Sequence, residues 1–340
     1  MFDFIDLFAG IGGFRCGLTA VGGKCVFTSE WDRYAVETYS TWYKDSSVFS
    51  DDIREVEPND VPKHDLLAAG FPCQPFSLAG VSKKASLGRP HGFNDLAQGN
   101  LFFQICQIAE HRRPKILLLE NVKNLLSHDK GKTWDVIKRC LTDLNYVVFH
   151  KIIDAKHWVP QHRERIFIAA FASENLKQGR DDSFDWAPIV SNDQQVLSLL
   201  NTNPDKKYML GDKTWKCLQD HADNHRAKGN GFGYGLCNPE GISRTLSARY
   251  HKDGAEILIE QKGWRNPRRL TPTEAMGLMG FDKRYAEMFG HPDGFPICVS
   301  DTQAYRQFGN SVVPQVVEYV SANAIQYFRA NCLAKHSGFF

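Results

Sequence analysis

The chain has 340 residues, 42% of them hydrophobic and 24% charged, with a formal net charge of +2. At about 150 residues per domain, this predicts two domains or one large domain with an insertion. The composition excludes a disordered chain, a collagen and a small disulfide scaffold, and no run of about 18 apolar residues predicts a membrane-spanning helix. The opening MFDFIDLFAG has no basic stretch ahead of its apolar residues, so no secretory signal is expected. Nine cysteines form an odd count without framework spacing. They predict a reduced, cytoplasmic protein in which most cysteines are small buried hydrophobes. None pairs in a CxxC motif, so no metal site is expected.

The first half alternates between two periods. Residues 3–9 read as a strand, 11–20 as a helix opening on glycines, 24–29 as a strand and 33–42 as a helix. A buried strand follows at 64–69 and an amphipathic helix at 101–112. Strand 116–120, helix 133–144 and strands 146–153 and 165–171 complete the series. Short apolar strands spaced by helices predict an α/β fold with a doubly wound, mostly parallel sheet. Ligands of such sheets bind at the carboxyl ends of the strands.

The alternation stops after Phe171. Residues 172–203 are polar and aperiodic. Residues 206–269 carry 13 Lys and Arg against 7 Asp and Glu, and include the run KGNGFGYG. Regular helix is expected again at 271–279, with Thr271 or Thr273 as its cap, and near 316–331. The predicted organisation is a catalytic domain of residues 1–171 plus 304–335, with a smaller inserted domain and hinge at 172–303.

Chemistry gathers at the strand ends. FAGIGGF (8–14) joins the first strand to the first helix. Its Gly10, Gly12 and Gly13 would let backbone approach a ligand at a helix N-terminus. The spacing is not GxGxxG, so a nicotinamide site loses ground. In SEWD (29–32), Glu30 is placed to accept hydrogen bonds from a ribose diol, and Trp31 offers a face to an adenine ring. Asp52, beyond the third strand, is placed for an adenine amino group. GFPCQPFS (70–77) sets Cys73 on a rigid turn after a strand, a candidate nucleophile if its thiol is activated. Glu120 ends the apolar strand LLLE. A carboxyl in an apolar site keeps its proton and can donate it to a ring nitrogen; the ordinary alternative is a cap on the next helix. Arg163 and Arg165 in PQHRERIF alternate into a strand and so point the same way, suited to phosphates or a base carbonyl.

Taken together, FAGIGGF, SEWD, DDI, GFPCQ, GNLFF, ENVKNL, QHRER, RRLTPTE and QFGNSVVP occur in one order over nearly the whole chain. This set resembles the DNA (cytosine-5)-methyltransferases. GVSKKASLGRPHGF and KGNGFGYG…RTLSARYHKDGAEIL are similar to the bacterial Dcm-like branch, which implies recognition of CCWGG or a related CCNGG or CCGG site. The resemblance implies that Cys73 attacks carbon 6 of cytosine and that Glu120 protonates ring nitrogen 3. Arg165 would hold the carbonyl oxygen of the base, with Arg163 supporting the site. The implied cofactor is S-adenosyl-L-methionine, leaving S-adenosyl-L-homocysteine as product. Phe8, Ile11, Gly12, Gly13, Glu30, Trp31, Asp52, Ile53, Pro72, Leu101, Asn310 and Val312 match its contact positions. The implied partner is double-stranded DNA, met by a monomer, with a functional pairing to a restriction endonuclease. Because stacking hides both faces of the cytosine ring, the base must be flipped out. Residues 76–92 are the expected lid, with Ser77 and Arg89 toward DNA. Residues 206–269 are the expected target-recognition segment, with Arg244 and Arg249 as base readers.

Other readings lack their signatures. An adenine methyltransferase would carry Asn/Asp-Pro-Pro-aromatic where this chain has FPCQ, and a tRNA cytosine methyltransferase would show Cys-Phe-Thr. A silent DNA-binding repressor would be expected to have lost Cys73 or Glu120.

Overall fold

The computed structural model describes residues 1–44, 49–50, 52–72, 101–178, 183–184, 186–191, 193–231 and 233–333. Cys73, Ser77, Arg89 and the expected lid lie outside these residues.

A seven-stranded sheet forms the centre, in the order β3-β2-β1-β4-β5-β7-β6. Its strands are β1 (Phe2–Leu7), β2 (Gly23–Ser29), β3 (Phe49–Ser50), β4 (Leu66–Gly70), β5 (Ile116–Val122), β6 (Tyr146–Asp154) and β7 (Glu164–Ala172). All pairings from β3 to β5 are parallel. Only β7 runs backward, antiparallel to both β5 and β6. The mostly parallel, doubly wound expectation therefore holds, with one reversal that the sequence reading did not contain. The strand order turns about β1 and β4, the place where open α/β sheets bind ligands.

Both faces of the sheet are covered, which is why β4 and the first four residues of β5 are apolar on both sides. Leu66 and Ala68 of β4 and Ile116 and Leu118 of β5 enter one hydrophobic cluster. Their alternating neighbours Leu67, Ala69, Leu117 and Leu119 enter the other. On the first face lie α1 (Gly13–Ala20), α2 (Arg33–Tyr43) and the long C-terminal helix; on the second lie α3 (Leu101–Arg112) and α4 (Lys132–Asp143). The first helix begins at Gly13 rather than at residue 11, so Ile11 and Gly12 belong to the loop.

The basic segment contains more regular structure than expected. It holds α5 (Asp212–Ala227), whose one buried residue is Ala222. Then come α6 (Pro272–Leu278), α7 (Lys283–Met288), α8 (Asp301–Asn310) and α9 (Pro314–Asn331). Thr271 caps α6 in a reciprocal capping box with Glu274. Leu246, Tyr250, Ile257, Leu270 and Leu278 join the same hydrophobic cluster as α1 and α2, so this segment shares its core with the sheet.

Arg268 contributes nothing to a basic surface. It is fully buried and binds both carboxylate oxygens of Glu274 at 2.8 and 2.9 Å. Lys207, Lys216, Arg226 and Arg265 are each paired with an aspartate. Five of the eight described cysteines are buried as expected, but Cys217 is exposed and Cys237 and Cys298 are half-buried.

Candidate active site

The loop after β1 is held from two sides. Phe8 lies at φ 57°, Gly10 at φ 55° and Gly12 at φ 79°. A Cβ on Gly12 would fall 2.4 Å from the Tyr43 ring, and one on Gly13 would fall 2.5 Å from the Val312 carbonyl oxygen. These two glycines therefore serve packing: they admit α2 and the QFGNSVVP turn against the loop. The sequence reading gave all three glycines to ligand approach and did not include this packing reason for Gly12 and Gly13. Gly10 alone meets nothing within 4 Å, so the backbone is open to a bound molecule there.

Glu30 ties the loop to the end of β2. Its Oε2 accepts the Gly10 N–H at 2.7 Å, and its Oε1 accepts those of Trp31 and Asp32 at 3.0 and 2.8 Å. Burial pushes its carboxyl up, and these three N–H donors oppose the shift. One oxygen keeps room for a further donor such as a ribose hydroxyl. Next to it, Trp31 is 74% exposed. An indole left so far in water contributes little to the core.

Asp52 has local partners that the sequence reading did not include. It caps the short turn Ile53–Glu55 and holds the Arg54 guanidinium through both oxygens, which keeps its carboxyl below the usual range. Ile53 is buried, Leu101 half-buried, Val312 buried and Asn310 exposed.

Glu120 lies in β5 beside Gly70 of β4 and Phe167 of β7, and the strand continues two residues beyond the expected end at 120. A Cβ at Gly70 would lie 3.4 Å from Glu120 Oε2, so glycine leaves this carboxyl its space. Because β7 runs backward, its first residues lie at the same carboxyl edge. Arg165 Nε thus comes within 3.2 Å of Glu120 Oε1. Burial raises the Glu120 carboxyl, with Arg165 and then Arg163 pulling it down. The 3₁₀ turn after β5 receives no side-chain cap, so Glu120 does not act as one.

Arg163 is buried among carbonyls. Its guanidinium donates to Leu246 O at 2.9 Å, Gly309 O at 3.0 Å and Ser311 O at 2.6 Å. Desolvation, with help from Arg165, lowers its pKa to about 9. It thus clamps the start of β7 to two distant segments, one of which carries Asn310 and Val312.

Pro72 is exposed after the buried Phe71. The Phe71 carbonyl, two residues ahead of Cys73, accepts the Asn121 Nδ2–H at 2.8 Å. The chain entering the nucleophile turn is therefore fastened to the residue that follows Glu120. Asn121 was not singled out from sequence; the ENV motif that contains it was the available signal.

Arg244 and Arg249 are both exposed, whereas their neighbours Leu246 and Tyr250 are buried. Arg244 lines a pocket of about 360 Å³ with His162, Glu164, Ile242, Ser243 and Thr245. In the glycine run, Gly229 and Gly231 face open space, whereas Gly233 packs on Ala222 and Gly235 on the Glu256 carbonyl. Only the first half of the run is free to approach another molecule.

The profile of the C-5 cytosine-specific DNA methylases matches residues 2–326. The chain belongs to that family. It is a DNA (cytosine-5)-methyltransferase, and the family is S-adenosylmethionine-dependent. The chain is 47% identical to a DNA-cytosine methyltransferase of Escherichia coli strain K12, over 94% of this chain and 76% of that one. It is 45% identical to the type II methyltransferase M.NlaX of Neisseria lactamica, over 94% and 95% of the two chains. A crystal structure of S. pombe Dnmt2 methyltransferase shares the fold, with a TM-score of 0.71 at 18% identity over 96% of this chain and 99% of that one.

The residues present fit the methyl donor of this cytosine methyltransferase family. Gly10 leaves open space over the loop, Glu30 keeps an acceptor position, and Trp31 presents a bare ring beside it. Among the described residues no cluster of three or more His, Cys, Asp or Glu side chains is arranged for a metal, and no described helix is long and apolar enough to cross a membrane.

Proposed function

We propose that this methyltransferase acts site-specifically on double-stranded DNA, methylating carbon 5 of a flipped-out cytosine within CCWGG or a related CCNGG or CCGG sequence. The observation that carries the reading is the Glu120–Arg165 pair at the carboxyl edge of the sheet, one strand from the chain that leads into Cys73.

S-adenosyl-L-methionine supplies the methyl group when bound over Gly10, Glu30 and Trp31. The Cys73 thiolate adds to carbon 6 of cytosine as protonated Glu120 donates to ring nitrogen 3. Carbon 5 then carries the nucleophilic electron pair. Burial raises the Glu120 carboxyl, which favours the protonated form that donates. Arg165 donates to the carbonyl oxygen of the base, and Arg163 fixes the strand from which Arg165 projects. Loss of the carbon-5 proton and expulsion of the Cys73 thiolate restore the ring. Flipping the base costs a few kcal/mol, which contacts from the protein offset.

In this reading residues 1–171 with 304–335 hold the chemistry and residues 172–303 read the sequence, with Arg244 and Arg249 toward the bases and Ser77 and Arg89 toward the flipped strand. The protein works as a monomer in the cytoplasm. The type II names of several relatives support pairing with a restriction endonuclease.

The test is tritium transfer from labelled S-adenosylmethionine to duplex DNA, followed by bisulfite sequencing of the product. Label at carbon 5 of cytosine within one short sequence is expected. Cys73→Ser should abolish transfer and leave cofactor binding intact, since a hydroxyl is a far weaker nucleophile. DNA containing 5-fluorocytosine should trap wild type covalently, because fluorine blocks the final elimination. Transfer at a normal rate in Cys73→Ser would overturn the mechanism.

A further inference from the structure

One buried side chain joins the proposed reading segment to the catalytic edge. Gln161 is completely buried. Its Oε1 accepts the Leu246 N–H at 2.7 Å, and its Nε2 donates to the Leu278 carbonyl at 2.9 Å. An N–H on one side and a carbonyl on the other fix which way the carboxamide points. Backbone bonds reinforce the seam: Ser243 N–H donates to Pro160 O at 2.8 Å and His162 N–H to Ser243 O at 2.9 Å.

Leu246 is held at both ends of its residue. Its N–H goes to Gln161 and its carbonyl to Arg163. It lies two residues after Arg244 and three before Arg249. On the other side of the seam, Arg163 stands two residues before Arg165, whose guanidinium meets Glu120. The segment cannot shift along this edge without leaving buried donors and acceptors unmatched.

We propose that Gln161 is a positioning residue that couples the segment 243–249 to the Glu120–Arg165 pair, so that reading the correct DNA sequence acts on the rate of methyl transfer rather than on DNA affinity. This rests on the reading of Arg244 and Arg249 as base readers. The groups touching the Gln161 carboxamide are the Leu246 N–H, the Leu278 carbonyl and the Met279 sulfur. None of them titrates. Along the chain, the adjacent His162 faces Asp154, and Arg163 is committed to three carbonyls.

The experiment measures single-turnover methylation of a CCWGG duplex and its single-base variants by wild type, Gln161→Leu and Gln161→Glu, with DNA and S-adenosylmethionine affinities measured alongside. In Gln161→Leu the cognate rate should fall roughly ten-fold, the effect of leaving buried hydrogen-bonding groups unmet. Non-cognate rates and both affinities should hold, so discrimination falls by the same factor. Gln161→Glu supplies a second readout should Gln161→Leu fail to fold. A protonated carboxyl offers the same donor and acceptor as the amide, and burial raises its pKa. Discrimination in Gln161→Glu should therefore match wild type at low pH and decline as pH rises, with no such decline in wild type. Equal losses on cognate and non-cognate DNA, weaker DNA binding at an unchanged rate, or a pH-independent ratio in Gln161→Glu would overturn the proposal. Failure of the base-reader assignment has a separate signature, unchanged specificity in Arg244→Ala and Arg249→Ala.

Discussion

Arg165 and Glu120 are diagonal neighbours on one face of the sheet. Glu120 stands opposite Phe167 and Arg165 opposite Val122, so the two side chains meet across two residues of antiparallel register with Nε and Oε1 3.2 Å apart. Burial raises the carboxyl and the guanidinium limits how far.

Glu120→Gln should lower the methylation rate by about 10²–10⁴-fold, the usual contribution of a positioned general acid. The pH profile carries the sign. Burial raises the Glu120 pKa, and the protonated form is the donor, so wild-type activity falls as pH rises through that raised value. Cys73 thiolate formation gives the opposite limb. Rates of Glu120→Gln measured across pH should lack the alkaline fall; a fall of the same shape would assign it to another group.

Trp31→Ala should weaken S-adenosylmethionine binding by roughly 1–3 kcal/mol, taking the range for a base stacked on an aromatic ring, with DNA affinity unchanged. The indole is 74% exposed, so its removal should cost the fold little. Calorimetry showing the same cofactor affinity would remove Trp31 from the site.

Arg268→Ala should destabilise the protein by about 3–5 kcal/mol, because it leaves a buried carboxylate unpaired. Glu274 holds more than Arg268: it also accepts the N–H groups of Asn201 and Thr271 at 2.7 and 2.6 Å. Arg226→Ala, which breaks an exposed pair with Asp223, should leave stability almost unchanged. Urea denaturation of both variants checks the contrast, and similar midpoints would contradict it.

The strand ends were legible because their chemistry is local. Glu30 and Trp31 follow β2 within two residues, Glu120 directly follows the apolar run Ile116–Leu119 of β5, and parallel pairing brings these positions to one edge. The direction of β7 was not legible, since an apolar run reads the same both ways and its reversal depends on pairing with β5 and β6. Helix α5 was missed because Ala222 is its one buried residue, which leaves no apolar stripe to detect. Helices α7 and α8 did carry signals, in the caps Asp282 and Ser300. The alternation of Arg163 and Arg165 was visible, but the carbonyls that hold Arg163 lie 83 to 148 residues away in sequence, beyond any local pattern.

Asp6 of β1 is fully buried. Burial raises its pKa from 3.8 to about 8, against the pull of Arg15. The folded state therefore keeps a proton that the unfolded chain releases between those values. Stability from this group should decline as pH rises from about 4 to about 8 and level off above. Asp6→Asn removes the titration, so urea midpoints should depend less steeply on pH, by an amount on the order of several kcal/mol across that window. Parallel curves for the two proteins would show that Asp6 is charged in the fold.

Arg244 and Arg249 are exposed yet sit on either side of Leu246, which is anchored to Gln161 and Arg163. An exposed side chain on an anchored backbone suits a reader of base edges. If either arginine makes a bidentate contact to a guanine, its replacement by alanine should relax discrimination by roughly 1–3 kcal/mol at one base pair and leave the others alone. If it meets only phosphate, binding should weaken for every sequence alike and the salt slope should shrink by about one. Methylation of single-base variants of a CCWGG duplex at two salt concentrations separates these outcomes. Paired charges elsewhere in 206–269, such as Lys216 with Asp220 and Arg265 with Asp212, predict a shallower salt dependence than the count of its basic residues implies. Grafting 206–269 onto a relative with a different site should transfer the sequence methylated; an unchanged site in the graft would place recognition outside this segment.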